Sequence, residues 1–268
     1  MYKCVNKWCF PNDMSLEDIA RATAEIGFEG LEPAYEETHL KLEMDYWRRI
    51  KELGDSLNIK FFTLASGLHW KYNLASSDHS LVEKGLEIVR DMCKIASTIG
   101  ASVILVVPGV ADPEVDYEKI LERARTSIKR ASKIGEEFGI KIGVENVWNR
   151  ILTSPIEFRD FIDSINSEYI GAYFDVGNTY PQTYPQHWIR VLGKRIVAVH
   201  VKDFLIEDFR TMGFTQLLQG SVDWSSVMKS FREIGYNGPV TVEVAPYRSH
   251  PLKSAIDAKK ALDIIFEL

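Results

Sequence analysis

The sequence predicts a single (β/α)₈ TIM barrel spanning residues 1–268. Three observations carry that prediction. Apolar runs of strand length alternate with amphipathic helical stretches from end to end, glycine recurs where a helix closes and a strand is about to open, and no linker or compositional break divides the chain. At 268 residues the length alone would allow two domains, but one α/β barrel takes about 250 residues. A doubly wound open sheet is the alternative assembly of the same units. Both folds put function at the C-terminal ends of the strands.

Taken in order, the strands are read at 2–6, 28–33, 60–65, 102–108, 141–146, 171–175, 196–202 and 239–244. Most are rich in Val, Ile and Phe, as parallel strands buried on both faces should be. The first helix opens at Ser15, an N-cap with Asp18 three positions on, and a long helix capped by Asp78 runs to about Gly100. Gly27, Gly100, Gly139 and Gly235 each stand between a helix and the next strand, where a left-handed C-cap is needed.

Composition narrows the function. The chain is 46% hydrophobic and 26% charged, with no low-complexity tract, which describes an ordinary soluble globular protein. A net charge of −6 without any Lys/Arg cluster disfavours holding nucleic acid by phosphate neutralisation, so a small-molecule partner is expected and no nucleic acid. Cys4, Cys9 and Cys93 form no CxxC pair, and the start MYKCVNKWCF lacks the features of a signal peptide, so a cytoplasmic protein with reduced thiols is expected. No apolar run approaches the ~20 residues of a membrane helix, so no membrane partner is expected.

Four side chains stand out. Glu145, Asp175, His200 and Glu243 each sit at or near the C-terminal end of one of the last four strands, in the runs IKIGVEN, IGAYFDVGN, RIVAVHVKD and PVTVEV. An unpaired carboxylate in an apolar interior costs several kcal/mol, so four such exceptions in succession point to one shared metal site. Three carboxylates and one imidazole suit Mn²⁺, Mg²⁺, Co²⁺ or Zn²⁺ with positions left open for substrate. The alternation His200-x-Lys202 sends both side chains to one face of the strand, while Asp203 either fixes the imidazole tautomer or caps a turn. Glu32 at the end of strand two and His69 after strand three fall on the active face as substrate contacts. Trp8 and Phe10 after strand one, with Trp148 beside Glu145, are read as an apolar wall.

The segments GVENVWNR, AYFDVGN, AVHVKDF and LLQGSVDWSSVMKSFREIGYNGPVTVEV resemble the sugar phosphate isomerase/epimerase family with the xylose-isomerase-like barrel. Within it the chain is most similar to the ketose 3-epimerases of the D-tagatose 3-epimerase and L-ribulose-5-phosphate 3-epimerase types. The resemblance implies that Glu145, Asp175, His200 and Glu243 ligate one divalent ion, Mn²⁺ foremost, and that Glu145 and Glu243 also move protons. It implies Arg210 as a contact to substrate oxygens, and a homodimer or homotetramer. Tagatose-type enzymes carry a histidine where this chain has Asn178; the form Asp175-Val-Gly-Asn178 looks more like the sugar-phosphate branch, so the expected substrate is a sugar or sugar phosphate. The related trinuclear-zinc apurinic endonucleases need further histidines that Asn178 and the stretch 203–222 do not supply.

The implied reaction is C3 epimerisation through a metal-stabilised enediolate, with the two glutamates on opposite faces of the ketose. Aldose–ketose isomerisation follows if one glutamate alone reaches the reacting carbon. A keto-inositol dehydratase or a hydroxypyruvate-type isomerase is the alternative enzyme on this scaffold. A non-catalytic sugar-binding barrel is the alternative outside enzymes, but a binder has no need of paired bases.

Overall fold

The structure is a computed structural model that describes residues 1–40, 43–208 and 210–268. Its strands are β1 (Tyr2–Asn6), β2 (Gly30–Glu32), β3 (Thr63–Leu64), β4 (Val103–Val106), β5 (Lys141–Glu145), β6 (Ile170–Asp175), β7 (Ile196–Val201), β8 (Asp203–Ile206), β9 (Met212–Thr215) and β10 (Pro239–Val242). All except β8 and β9 join one eight-stranded sheet of order β2-β1-β10-β7-β6-β5-β4-β3, and every pairing in it is parallel. Isolated parallel bridges Gly30↔Lys60 and Ala34↔Ala65 join β2 to β3 and close the ring. The doubly wound alternative is thereby excluded.

The helices are α1 (Leu16–Ile26), α2 (Met44–Ser56), α3 (His79–Ile99), α4 (Tyr117–Phe138), α5 (Pro155–Ile165), α6 (Pro185–Leu192), α7 (Trp224–Glu233) and α8 (Leu252–Glu267). Ser15 Oγ accepts from the Asp18 N–H at 3.1 Å, as its position predicts. Gly27, Gly100, Gly139 and Gly235 all have positive φ, between 68° and 89°, where a side chain would be strained.

Side-chain alternation along the strands builds two cores. Ile104, Val106, Phe174 and Val199 belong to the large core between sheet and helices, together with Trp47, Phe158 and Phe231. Val103, Leu105, Tyr173 and Ala198 form a smaller cluster, with Ala65 and Val107, that fills the barrel interior. The same period of two that turns Tyr173 and Ala198 inward turns Asp175 and His200 inward two residues later. The acidic strand ends therefore stand on top of the packed interior layer.

Two sequence expectations change. Strands two and three shrink to β2 and β3, because Lys60, Ala34 and Ala65 contribute only single bridges. Strand seven does not run through Lys202 into a loop: the chain breaks register there and folds back as the antiparallel ribbon β8–β9, pairing Asp203 with Thr215 and Ile206 with Met212. Cys4, Cys9 and Cys93 are free and buried. Among the described residues, no helix is long and apolar enough to cross a membrane.

Candidate metal centre

Sheet register brings the four candidate ligands together. Asp175 and His200 are direct partners across β6 and β7, and Glu145 and Tyr173 are partners across β5 and β6. Glu243 follows β10, with its N–H donating to the Val201 carbonyl at 3.0 Å. One ligand atom from each of Glu145, Asp175, His200 and Glu243 lies within 4.8 Å of the others. His200 Nδ1 is 3.4 Å from Glu145 Oε1 and 3.8 Å from Glu243 Oε2. On its other side, Nε2 donates to Glu32 Oε2 at 2.6 Å. Lys202 Nζ lies 2.8 Å from Asp175 Oδ2 and bonds Glu243 Oε2.

The backbone of Asp175 is held in place. Asn146 accepts from the Asp175 N–H at 2.7 Å and donates to its carbonyl at 2.9 Å, and Asp175 Oδ1 accepts from the Asn178 N–H at 2.7 Å. One atom in the cluster, His200 Nδ1, is fully buried without a hydrogen-bond partner, and Asp175 Oδ2, equally buried, is met only by the Lys202 ammonium. A buried nitrogen left unpartnered is costly, and this one points into a cluster of three carboxylates. One imidazole nitrogen and three carboxylates fit a divalent cation, which would partner the orphaned nitrogen.

Electrostatics separates the carboxyls. Burial pushes Glu145 up to about 7; His200 opposes this, and the Glu243 and Asp175 carboxylates add to it. Burial likewise raises Asp175 above the usual range against the pull of Lys202. For Glu243 burial is outweighed by the Lys202 and His200 charges, which hold it below the usual carboxylate range.

Trp8, Trp148, Asn178 and Lys202 gather with Glu145 and Glu243 around a cavity of about 220 Å³ at the barrel mouth. Trp148 is fixed there by donating Nε1 to the Asn178 carbonyl at 3.0 Å. Phe214 completes the wall from β9, its ring 4.8 Å from that of Trp148 and 5.0 Å from Lys202 Nζ. Nothing in the sequence reading found Phe214; the alternation Met212-x-Phe214 is the signal that marked its strand. Asn146 was also missed, and no local pattern distinguishes it from any polar residue after a strand.

Three expected substrate contacts lie elsewhere. Glu32 is 1% exposed and sits behind His200, its oxygens taken by Tyr173, Asn6 and His200. His69 is fully enclosed with Nε2 3.3 Å from the Gly85 carbonyl, and burial pushes it down to about 4. Arg210 is exposed at the tip of the β8–β9 ribbon, where its N–H donates to Asp208 at 2.7 Å. Phe10 is fully buried in the large core. Asp203 does not touch the imidazole. Its carboxylate accepts from the N–H groups of Phe204, Leu218 and Val222 and from Trp224 Nε1, and so fastens the ribbon to the start of α7.

The family profile described as the xylose isomerase-like TIM barrel matches residues 20–265. An uncharacterised protein of Methanocaldococcus jannaschii is 27% identical, covering 94% of this chain and 87% of that protein. The L-ribulose-5-phosphate 3-epimerase of Salmonella paratyphi A is 24% identical, covering 84% of this chain and 80% of its own length. The crystal structure of a D-tagatose 3-epimerase-like protein is 25% identical and superposes with a TM-score of 0.83 over 100% of this chain and 99% of that one.

Proposed function

Because the chain belongs to the xylose isomerase-like TIM barrel family, we propose that it is a divalent-metal-dependent sugar or sugar-phosphate epimerase that inverts C3 of a ketose. The observation that carries this reading is the convergence of Glu145, Asp175, His200 and Glu243, with His200 Nδ1 buried and unpartnered. The epimerases among its relatives support the ketose.

Those four residues would hold the ion, Mn²⁺ foremost, with Mg²⁺, Co²⁺ and Zn²⁺ as alternatives. When bound, the ion supplies Lewis-acid polarisation to the carbonyl and adjacent hydroxyl of the sugar. The protein's own part is proton movement and orientation. Glu145 and Glu243 come from β5 and from the end of β10, so they reach a sugar in the mouth from different strands. One glutamate, as the carboxylate, takes the proton from C3 while the other, as the carboxylic acid, returns its own proton to the far side, which inverts the carbon and exchanges the two protonation states. Lys202 donates to a sugar oxygen, and Trp8, Trp148 and Phe214 exclude water along the carbon backbone.

The test is proton exchange in D₂O followed by NMR, with Mn²⁺- and Mg²⁺-loaded protein and a panel of ketopentoses, ketohexoses and their phosphates. Deuterium at C3 together with the C3 epimer is the expected result and names the substrate. Deuterium at C1 would select aldose–ketose isomerisation instead. Silence across the panel would overturn the sugar reading.

A further inference from the structure

We infer that Glu32 is the positioning residue that holds His200 with Nδ1 free toward the other three ligands. This inference rests on the metal reading above but not on the sugar. Glu32 is 1% exposed and cannot meet substrate, yet a buried carboxylate is retained there. It is fully engaged: Oε2 accepts from His200 Nε2 at 2.6 Å and from Asn6 Nδ2 at 2.5 Å, and Oε1 accepts from the Tyr173 hydroxyl.

A neutral imidazole carries its proton on either nitrogen, and only one arrangement leaves Nδ1 a lone pair. A carboxylate only accepts, so its contact with Nε2 forces the proton there and turns Nδ1 into a ligand. The Tyr173 ring, edge-on to the imidazole at 4.7 Å between centroids, fixes the ring plane from the barrel interior. Asn6 cannot present its amide the other way round, because Oδ1 accepts from the Trp8 N–H at 2.6 Å. A continuous path thus runs from Trp8 in the cavity wall through Asn6 and Glu32 to His200, across β1, β2 and β7.

Glu32→Gln keeps the shape but replaces the carboxylate with a neutral acceptor: Asn6 Nδ2, pinned by Trp8, holds the new carbonyl toward Nε2, and the negative charge that fixes the proton on Nε2 and makes Nδ1 a stronger ligand is lost. The full-length chain and this variant would be titrated with Zn²⁺ against a fluorescent chelator, and the zinc-loaded wild type examined by ¹⁵N-edited NMR of its imidazoles. The expected results are Zn²⁺ affinity weakened roughly 10- to 100-fold in the variant, the scale known for partners of metal-bound histidines, and a protected downfield proton on His200 Nε2 in the wild type. Unchanged affinity in a folded variant, or a wild-type proton on Nδ1, would overturn the inference. If the variant does not fold, the wild-type spectrum alone decides. A wild type that binds no divalent ion would bring down the metal reading as well, which separates the two failures.

Discussion

Replacing Glu145 with Gln is expected to stabilise the metal-stripped protein and to remove the turnover of the metal-loaded one. Glu145 is 6% exposed, and burial among Glu243 and Asp175 pushes its carboxyl up from 4.5 to about 7. At about 1.4 kcal/mol per tenfold change in proton affinity, that displacement corresponds to about 3 kcal/mol. The sign follows from proton binding. Between pH 4.5 and about 7 the folded state keeps a proton that the unfolded chain has released, so wild-type stability falls as pH rises and the loss is complete above about 7. Glutamine does not titrate and escapes that loss. Urea unfolding of both proteins in EDTA, from pH 5 to pH 8, should show a gap in favour of the variant that widens to about 3 kcal/mol at pH 8. Saturating Mn²⁺ should reverse the order, since a ligand-bound native state gains stability in proportion to its affinity and the variant has lost a ligand. A gap that does not grow with pH, or a variant less stable than wild type in EDTA at pH 8, would refute the assignment of Glu145 as a strained carboxylate kept for chemistry.

Four further outcomes are expected. Glu243→Gln should lower kcat roughly 10²- to 10⁴-fold with an unchanged far-ultraviolet spectrum, and wild-type turnover would remove it from proton transfer. Exhaustive chelation should abolish activity and added Mn²⁺ restore it; full activity in protein shown to be metal-free would exclude the ion from the reaction. Trp148→Ala, which deletes a ring packed on Phe214 at the cavity mouth, should raise KM more than it lowers kcat, whereas unchanged kinetics would take it out of the substrate wall. Gly171→Ala would place a Cβ 2.3 Å from Val197 Cγ1 and 2.9 Å from the Arg195 carbonyl, so thermal unfolding should report a loss of about 1–3 kcal/mol. An undiminished melting temperature would contradict the β6–β7 packing.

Much of the barrel was legible because its signals are local. Ser15, Asp78 and the glycines at 27, 100, 139 and 235 mark helix ends within a few residues of chain, and the Val/Ile runs mark strands by composition alone. The four ligand candidates were legible for the same reason, each being polar at the close of an apolar run. The β8–β9 ribbon was not, since only Lys202 separates β7 from β8 and no Asn-Gly or Asp-Gly turn announces the reversal. The role of Glu32 was misread for a different reason. Strand-end position implies an accessible carboxylate, but barrel closure sets β1 and β2 in register, with Asn6 paired to Glu32, and brings Tyr173 from 141 residues away to cover it. Asp203 shows the same limit, because its four donors lie at positions 204 to 224 in a loop whose path the sequence does not reveal.

The closure between β2 and β3 deserves a dynamic reading. Every other neighbouring pair of barrel strands shares a ladder, whereas this join rests on two separate bridges, with Pro33 between them unable to donate. Local opening is favoured where a backbone ladder is interrupted, so this line is a seam along which the ring can part. The amides of Leu31 and Tyr35, which bond Lys60 and Ala65 across it at 3.0 and 2.8 Å, should be early to exchange with solvent. Glu32 lies on the same line and is the anchor of His200. Each opening of the seam therefore loosens the histidine's mooring, and hydrogen exchange at Leu31 and release of the ion become two readings of one motion.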